Sequence, residues 1–211
     1  WFFVDAGLPG WITLILGLLT GLLAGAISGL ATAYGKLPAF IATLAMMSIA
    51  RGATLVISQG SPIPTAPSVN WLGSSVAGVP IPIVMMVIAG LLCWFILSRT
   101  VIGRSMYAIG GNMEAARLSG LPVKKILVTV YALSGLFAGL AGLVMAGRLS
   151  SAQPQAGVGY ELDAIAAVVI GGASLAGGSG KATGTLIGAI LLAVIRNGLN
   201  LLNVSSFWQQ I

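Results

Sequence analysis

Residues 99–125 read RTVIGRSMYAIGGNMEAARLSGLPVKK and stand between two strongly apolar segments. This stretch holds five of the ten basic residues of the chain but only one of its four acids. Basic loops beside membrane spans mark the cytoplasmic side of a membrane protein. Because the stretch also contains helix-forming sequence, we interpret 99–125 as a cytoplasmic loop that presents an ordered docking surface to a partner inside the cell.

The composition of the chain is that of an integral membrane protein. Of its 211 residues, 57% are hydrophobic and 7% are charged, and the mean hydropathy is +1.03. Soluble domains are about 25% charged. The net charge of +6 comes from basic residues scattered singly near span ends, so we expect contact with membrane lipid and none with nucleic acid. The sequence opens without methionine, and we expect a fragment of a longer protein, truncated at both ends.

Six apolar segments are candidates for membrane crossing, because a spanning helix needs about 20 apolar residues. They are 11–34, 38–58, 81–98, 126–147, 164–175 and 183–202. The fifth is short, and it suits either a short span or a re-entrant segment buried in protein. Residues 205–208 are typical of an interfacial anchor beyond the last span. The sequence therefore predicts an all-α, polytopic transmembrane helical bundle of about six spans, forming a single domain over residues 1–211.

Glycines in the first and fourth spans predict close helix packing. In the first span they recur every four residues, and they therefore share one face of the helix. Small residues at this spacing let two helix backbones approach closely within a membrane. The glycines are Gly17, Gly21, Gly25 and Gly29 in the first span and Gly135, Gly139 and Gly142 in the fourth.

A short motif of the form E-A-A-x-x-x-G lies at 114–120, inside the basic loop. Glu, Ala, Arg and Leu are strong helix formers. Gly120 suits the end of such a helix, and Pro122 blocks its continuation. The residues alone fit two readings equally well, a helix that docks into a partner and an ordinary capped connection between two spans.

The chain resembles the ribose-type sugar permeases of ABC importers along nearly its whole length. In those permeases an E-A-A-x-x-x-G loop is the coupling helix that docks on the ATPase subunit. The resemblance is carried by PAFIATLAMM at 38–47, YAIGGN at 107–112, EAARLSG at 114–120, RLSSAQP at 148–154, GYELDAIAAVV at 159–169 and NGLN at 197–200. It implies that 99–125 is a cytoplasmic coupling loop. The ATPase-coupling residues it implies are Gly110, Gly111, Asn112, Glu114, Ala115, Ala116, Arg117 and Gly120.

The same resemblance implies the setting and the partners of the chain. It implies a multi-pass subunit of the bacterial inner membrane that works as a homodimer, with ABC ATPase subunits inside and a sugar-binding protein outside. ATP and magnesium are then used by the ATPase partner, so we expect no cofactor, no catalytic residue and no enzymatic activity on this chain. The expected cargo is a monosaccharide, ribose first, with another sugar or autoinducer-2 as the alternative.

A secondary carrier driven by an ion gradient is the alternative from another transporter class. It needs acids at mid-depth in the membrane, and this chain has four acids in all. A glycine-rich run at 171–181 does not fit the phosphate-binding loop, because Leu175 stands where that motif needs glycine and Ala182 follows Lys181. With no histidine and a single cysteine, Cys93, we expect no metal site.

Five polar residues are candidates for the translocation path or its gating: Arg51, Glu161, Asp163, Asn197 and Asn200. A charge within an apolar segment, such as Arg51, is costly and often functional, unless it reaches the interface by snorkelling. Glu161 and Asp163 stand at the start of a helix, where negative charge suits the helix dipole, and we favour that role over a proton relay or cation site. For Asn197 and Asn200 we favour helix packing over lining of a hydrophilic path.

Overall fold

Long apolar helices dominate the computed structural model, which describes residues 9–205. In chain order the helices are α1 (Gly10–Ala33), α2 (Ala39–Ser58), α3 (Pro67–Asn70), α4 (Ile81–Arg99), α5 (Val101–Gly111), α6 (Met113–Leu118), α7 (Val123–Leu149), α8 (Tyr160–Ile170) and α9 (Ala182–Leu201). Within this described part, α1, α2, α4, α7 and α9 are long and apolar enough to cross a membrane. The predicted all-α membrane fold class is confirmed.

The fifth of the six predicted segments forms a short helix, in keeping with its length in the sequence. Helix α8 has 11 residues and is about 16 Å long, roughly half of the ~30 Å of a hydrocarbon core. It ends at Ile170 because the following stretch is rich in glycines, of which Gly172, Gly177 and Gly178 take a positive φ. Residues 9–205 therefore contain five long apolar helices and the short helix α8. The predicted anchor at 205–208 lies, apart from its first residue, outside the described residues.

Two short antiparallel pairings accompany the helices. β1 (Ile63–Pro64) pairs with β4 (Ser151–Ala152), and β2 (Ser75–Val76) pairs with β3 (Val79–Pro80). The stretch between α2 and α4 is rich in proline, which lacks a backbone N–H and interrupts long helices. The helical elements in that stretch are the four-residue helix α3 and a single 3₁₀ turn (Trp71–Gly73).

The chain divides into two compact units, and the first comprises residues 9–89 and 121–156. The main packing of this unit is between α1 and α7. A Cβ placed on Gly21 would lie 2.9 Å from the Cα of Gly139, and one on Gly25 would lie 3.0 Å from the Cα of Gly135. Contacts this short mean that the two main chains touch, as small residues permit.

The predicted glycine packing is thus confirmed for most of its members. Gly142 is the exception, because a Cβ placed there meets no described atom within 4 Å. Further along α7, the backbone at Gly147 approaches the short helices between α2 and α4, where a Cβ would lie 3.2 Å from the Cβ of Leu72. Leu72 and Val69 are both buried at this end of the unit.

The second unit comprises residues 90–120 and 157–205. Helices α8 and α9 form an antiparallel hairpin in which main chain again contacts main chain. A Cβ on Gly188 would lie 3.0 Å from the backbone nitrogen of Gly171 and 3.1 Å from the carbonyl carbon of Ala167. Helix α5 packs against α6 in the same unit.

Candidate functional site

Residues 112–120, here called the coupling segment, form a short capped helix. Asn112 has extended backbone angles and its side-chain Oδ1 accepts a hydrogen bond from the Ala115 N–H at 2.9 Å, so it caps the N-terminus of α6. Glu114 lies in the first turn and Arg117 in the last turn. Each charge therefore opposes the partial charge at its own end of the helix.

The far end of the coupling segment is closed by glycine, as the sequence predicts. Gly120 has φ +82° and its N–H donates to the Arg117 carbonyl at 3.0 Å. Glycine adopts this left-handed conformation without the steric penalty of a Cβ, which is why it commonly ends helices. The Ser119 hydroxyl donates to the Ala115 carbonyl at 2.9 Å. Both ends of α6 are thus fixed by local hydrogen bonds.

Most of α6 is exposed, and Ala116 is the one buried residue among its six. Ala116 is buried, whereas Leu118 is 82% exposed and Met113 is 51% exposed. Glu114 shares the exposed side with Leu118, because residues four apart lie on one face of a helix. Leu118 and Met113 are therefore accessible to a protein that approaches α6. Sequence reasoning did not single out Met113 and Leu118.

Helix α5 precedes the coupling segment and was not foreseen as a separate element. Its N-terminus is capped by Thr100, whose Oγ1 accepts a hydrogen bond from the Gly103 N–H at 3.1 Å. Gly110 and Gly111 form its last turn. The Tyr107 hydroxyl donates to a main-chain carbonyl 73 positions later in the chain. No local pattern in the sequence indicates that contact.

The candidate path residues are divided between the two units. Arg51 is half-buried on α2, in the first unit, whereas the other four belong to α8 and α9 in the second. The Glu161 carboxylate accepts a hydrogen bond from the Gly159 N–H at 3.1 Å. The Asp163 carboxylate forms an ion pair with Arg196, which sequence reasoning noted only as a neighbour of two asparagines. Those asparagines, Asn197 and Asn200, are exposed on α9.

Comparison with known proteins gives the family of the chain. All of residues 1–211 match the family described as branched-chain amino acid transport system / permease component. The chain belongs to this permease family. It is accordingly a multi-pass membrane permease component and not itself an enzyme, as the sequence predicted. No solved structure matches the chain.

Curated bacterial relatives of this permease are named as sugar transport proteins. The ribose import permease protein RbsC of Escherichia coli is 52% identical over 206 residues, covering 95% of this chain and 64% of the relative. RbsC of Bacillus subtilis is 48% identical over 211 residues, covering 98% and 65%. The L-arabinose transport system permease protein AraH of Escherichia coli is 40% identical over 208 residues, covering 95% and 62%. The chain spans just under two thirds of the length of these relatives, and the predicted resemblance to ribose-type permeases is confirmed.

Removing the cap of the permease's coupling segment is expected to loosen α6 without unfolding the protein. Asn112→Ala deletes the acceptor of the Ala115 N–H, and losing an N-cap typically costs about 1 kcal/mol. Limited proteolysis at the coupling segment should therefore become faster in Asn112→Ala, while Asn112→Asp, which retains a capping oxygen, should resemble the parent protein. Equal cleavage of all three proteins would contradict the capping role.

The ion pair between α8 and α9 is expected to contribute little to the stability of the permease. The side chains of Arg196 and Asp163 are 51% and 32% exposed, and exposed ion pairs contribute about 0.2–1 kcal/mol. A double-mutant cycle of Asp163→Asn and Arg196→Gln, followed by thermal unfolding in detergent, should give a coupling energy in that range. A coupling above about 2 kcal/mol would mean that the pair is far better shielded than its exposure indicates.

Proposed function

We propose that this chain is the membrane-spanning part of an importer permease that moves ribose across the bacterial inner membrane, driven by ATP hydrolysis on a separate subunit. The observation that carries the proposal is the 52% identity, over 95% of the chain, with a protein named for ribose import. The arabinose permease is a more distant relative, at 40% identity. Ribose is therefore the first cargo to test, with another sugar or autoinducer-2 as the alternative.

The coupling segment is the proposed docking site for an ABC ATPase subunit. Its support is physical: the helix is capped at both ends, and Leu118 and Met113 project from it as exposed apolar contacts. A rigid short helix transmits a push from its partner better than a flexible loop does. The residues proposed for ATPase coupling remain Gly110, Gly111, Asn112, Glu114, Ala115, Ala116, Arg117 and Gly120.

An alternating-access movement of the spans is the proposed mechanism of transport. ATP binding and hydrolysis on the partner move the coupling segment, and the helices tilt to open the sugar path first to one side and then to the other. Arg51, Asn197 and Asn200 are proposed to line or gate that path. The ion pair of Asp163 with Arg196 and the nearby Glu161 are proposed as gating contacts between α8 and α9.

The state of the acids favours an ATP-driven importer over an ion-gradient carrier. A carrier needs a carboxylate that exchanges protons or cations at mid-depth. Here the Asp163 carboxylate is paired with Arg196, and the Glu161 carboxylate accepts a hydrogen bond from the Gly159 N–H at the start of α8. Both acids therefore have structural partners at a helix terminus, where negative charge is stabilised.

The proposed assembly contains two copies of the permease, two ATPase subunits and an extracytoplasmic sugar-binding protein. Helix α2 exposes the large apolar side chains Phe40, Ile49 and Val56, which suit contact with lipid or with a second copy. Mass photometry of the purified full-length assembly tests this composition, because one, two and more copies differ in mass.

Ribose uptake into liposomes tests the proposed function. The liposomes hold the full-length permease, its ATPase subunit and its binding protein, with ATP on the side of the ATPase. Ribose accumulation that requires ATP and stops when ADP replaces it supports both an ATP-driven importer and ribose as its cargo. Hydrolysis of ATP without ribose movement supports an ATP-driven importer and directs the test to arabinose, xylose, galactose and autoinducer-2. Uptake driven by an ion gradient without ATP overturns the proposal.

A further inference from the structure

A glycine-rich loop of the second unit is tied to the helix that precedes the coupling segment. The loop, residues 171–181, is here called the glycine run. The Tyr107 hydroxyl on α5 donates a hydrogen bond of 2.8 Å to the carbonyl of Gly180 in the glycine run. Tyr107 is half-buried, so this bond is partly shielded from solvent. The two residues are 73 positions apart, and the bond therefore joins separate parts of the chain.

A second contact joins the same two segments through their main chains. A Cβ placed on Gly110 would lie 2.6 Å from the backbone nitrogen of Gly178, and one on Gly177 would lie 2.6 Å from the Gly110 carbonyl oxygen. Real Cβ atoms do not approach other atoms so closely, so side chains are excluded from both sides of this contact. The end of α5 and the glycine run therefore rest directly on each other.

Each segment also leads without interruption to an element that the proposed mechanism requires to move. Asn112 ends α5, where its N–H donates to the Ala108 carbonyl at 3.1 Å, and the same residue caps α6. The glycine run ends at Lys181, whose carbonyl accepts a hydrogen bond from the Thr185 N–H at 3.1 Å in the first turn of α9. These bonds connect α6, through α5 and the glycine run, to the start of α9.

We propose that Tyr107 is a positioning residue that, with the Gly110 contact, transmits movement of the coupling segment to α9. This inference rests on the proposed function, because it assumes that an ATPase moves the coupling segment. The hydrogen bond of the Tyr107 hydroxyl keeps the glycine run from moving away from α5. The contact of Gly110 with Gly178 keeps the two segments from moving closer together. Movement in either direction is therefore passed on to the helix that carries Arg196, Asn197 and Asn200.

Hydrogen–deuterium exchange of the glycine run tests the inference without reference to the cargo. The full-length permease and its ATPase subunit are placed in nanodiscs, and exchange at residues 171–181 is measured without nucleotide and with ATP plus vanadate. Exchange in the parent protein is expected to change on nucleotide binding. In Tyr107→Phe that response should fall by about fivefold, the factor that corresponds to one ordinary hydrogen bond. Gly110→Ala, which separates the main chains, should abolish it.

Two matched variants control for loss of a hydroxyl and for gain of a methyl group. Tyr34→Phe removes a tyrosine hydroxyl in the first unit and keeps the ring, over which the Lys124 ammonium lies at 5.0 Å. Gly90→Ala adds a methyl group on α4 where the described atoms leave open space. Both controls should respond to nucleotide as the parent protein does.

The outcomes separate this inference from the proposed function. Ribose uptake per ATP hydrolysed should fall in both Tyr107→Phe and Gly110→Ala, and Tyr107→Phe should still bind the ATPase subunit. A purely structural contact would instead weaken ATPase binding in Tyr107→Phe, and this result overturns the inference. So does an unchanged nucleotide response in both variants, or none in the parent protein. If the parent protein fails to import ribose but its response depends on Tyr107, the proposed cargo fails and the inference stands.

Discussion

Replacement of Gly21 by leucine is expected to prevent α1 from packing against α7 and so to remove the main contact of the first unit. Even a Cβ at this position would lie 2.9 Å from the Cα of Gly139, and the remaining leucine carbons must push the two main chains apart. Overpacking a tight contact costs about 3 kcal/mol. Purified Gly21→Leu protein should therefore show a large drop in melting temperature in detergent, or elute as an aggregate on size exclusion.

The matched control for this substitution is Gly142→Leu on α7. It adds the same side chain to the same type of helix, at a glycine whose Cβ meets no atom of residues 9–205 within 4 Å. This control should unfold within a few degrees of the parent protein. Equal destabilisation by Gly21→Leu and Gly142→Leu would show that leucine disturbs these helices in general, and the close contact of α1 with α7 would then not be the cause.

Replacement of Gly120 by valine is expected to uncouple ATP hydrolysis from transport while leaving membrane insertion intact. Gly120 has φ +82°, a conformation that costs other residues about 1–2 kcal/mol and is least accessible to β-branched side chains. Its Cβ would meet none of the described atoms within 4 Å, so the effect arises from the backbone and not from a clash. The strain should redirect the end of α6 and lower uptake per ATP hydrolysed by about tenfold, which is the factor that such an energy represents.

Asparagine at the same position distinguishes an effect of backbone strain from an effect of side-chain size. Asn tolerates the left-handed conformation better than other residues with a side chain. Gly120→Asn is therefore expected to retain more transport per ATP than Gly120→Val, although it is larger than glycine. Equal loss in both variants would assign the effect to side-chain bulk at the docking surface. Loss of insertion in either variant would make Gly120 a structural residue instead.

The spanning helices were predictable because apolar runs of about 20 residues have few alternatives in a membrane. The segment 164–175 was left open between a short span and a re-entrant segment, and the helix there ends at Ile170, ahead of a glycine-rich stretch. Helix α7 begins at Val123, three residues before the predicted span, because Lys124 and Lys125 are good helix formers whose charged ends reach the interface. Composition therefore located the helices, while local backbone chemistry set their ends.

The candidate site was only partly predictable for a related reason. The coupling segment has local signals, since Asn112 as a cap and Gly120 as a stop are read within one turn of helix. The bond from Tyr107 to Gly180 and the pair of Asp163 with Arg196 join residues far apart in the chain. Such contacts depend on how helices pack, and hydrophobic patterning does not specify them. The roles of Arg51 and the two asparagines stay predictions.

The contact of α1 with α7 has a consequence for how the chain is made. Gly25 meets Gly135, which follows 110 positions later, and residues 90–120 between them belong to the other unit. At about 5–20 residues per second, a ribosome needs about 5–20 s to extend the chain across that distance. During this time α1 sits in the bilayer with its row of glycines against lipid. A nascent permease therefore passes through a period in which α1 has been made but α7, the helix that its glycines contact, has not.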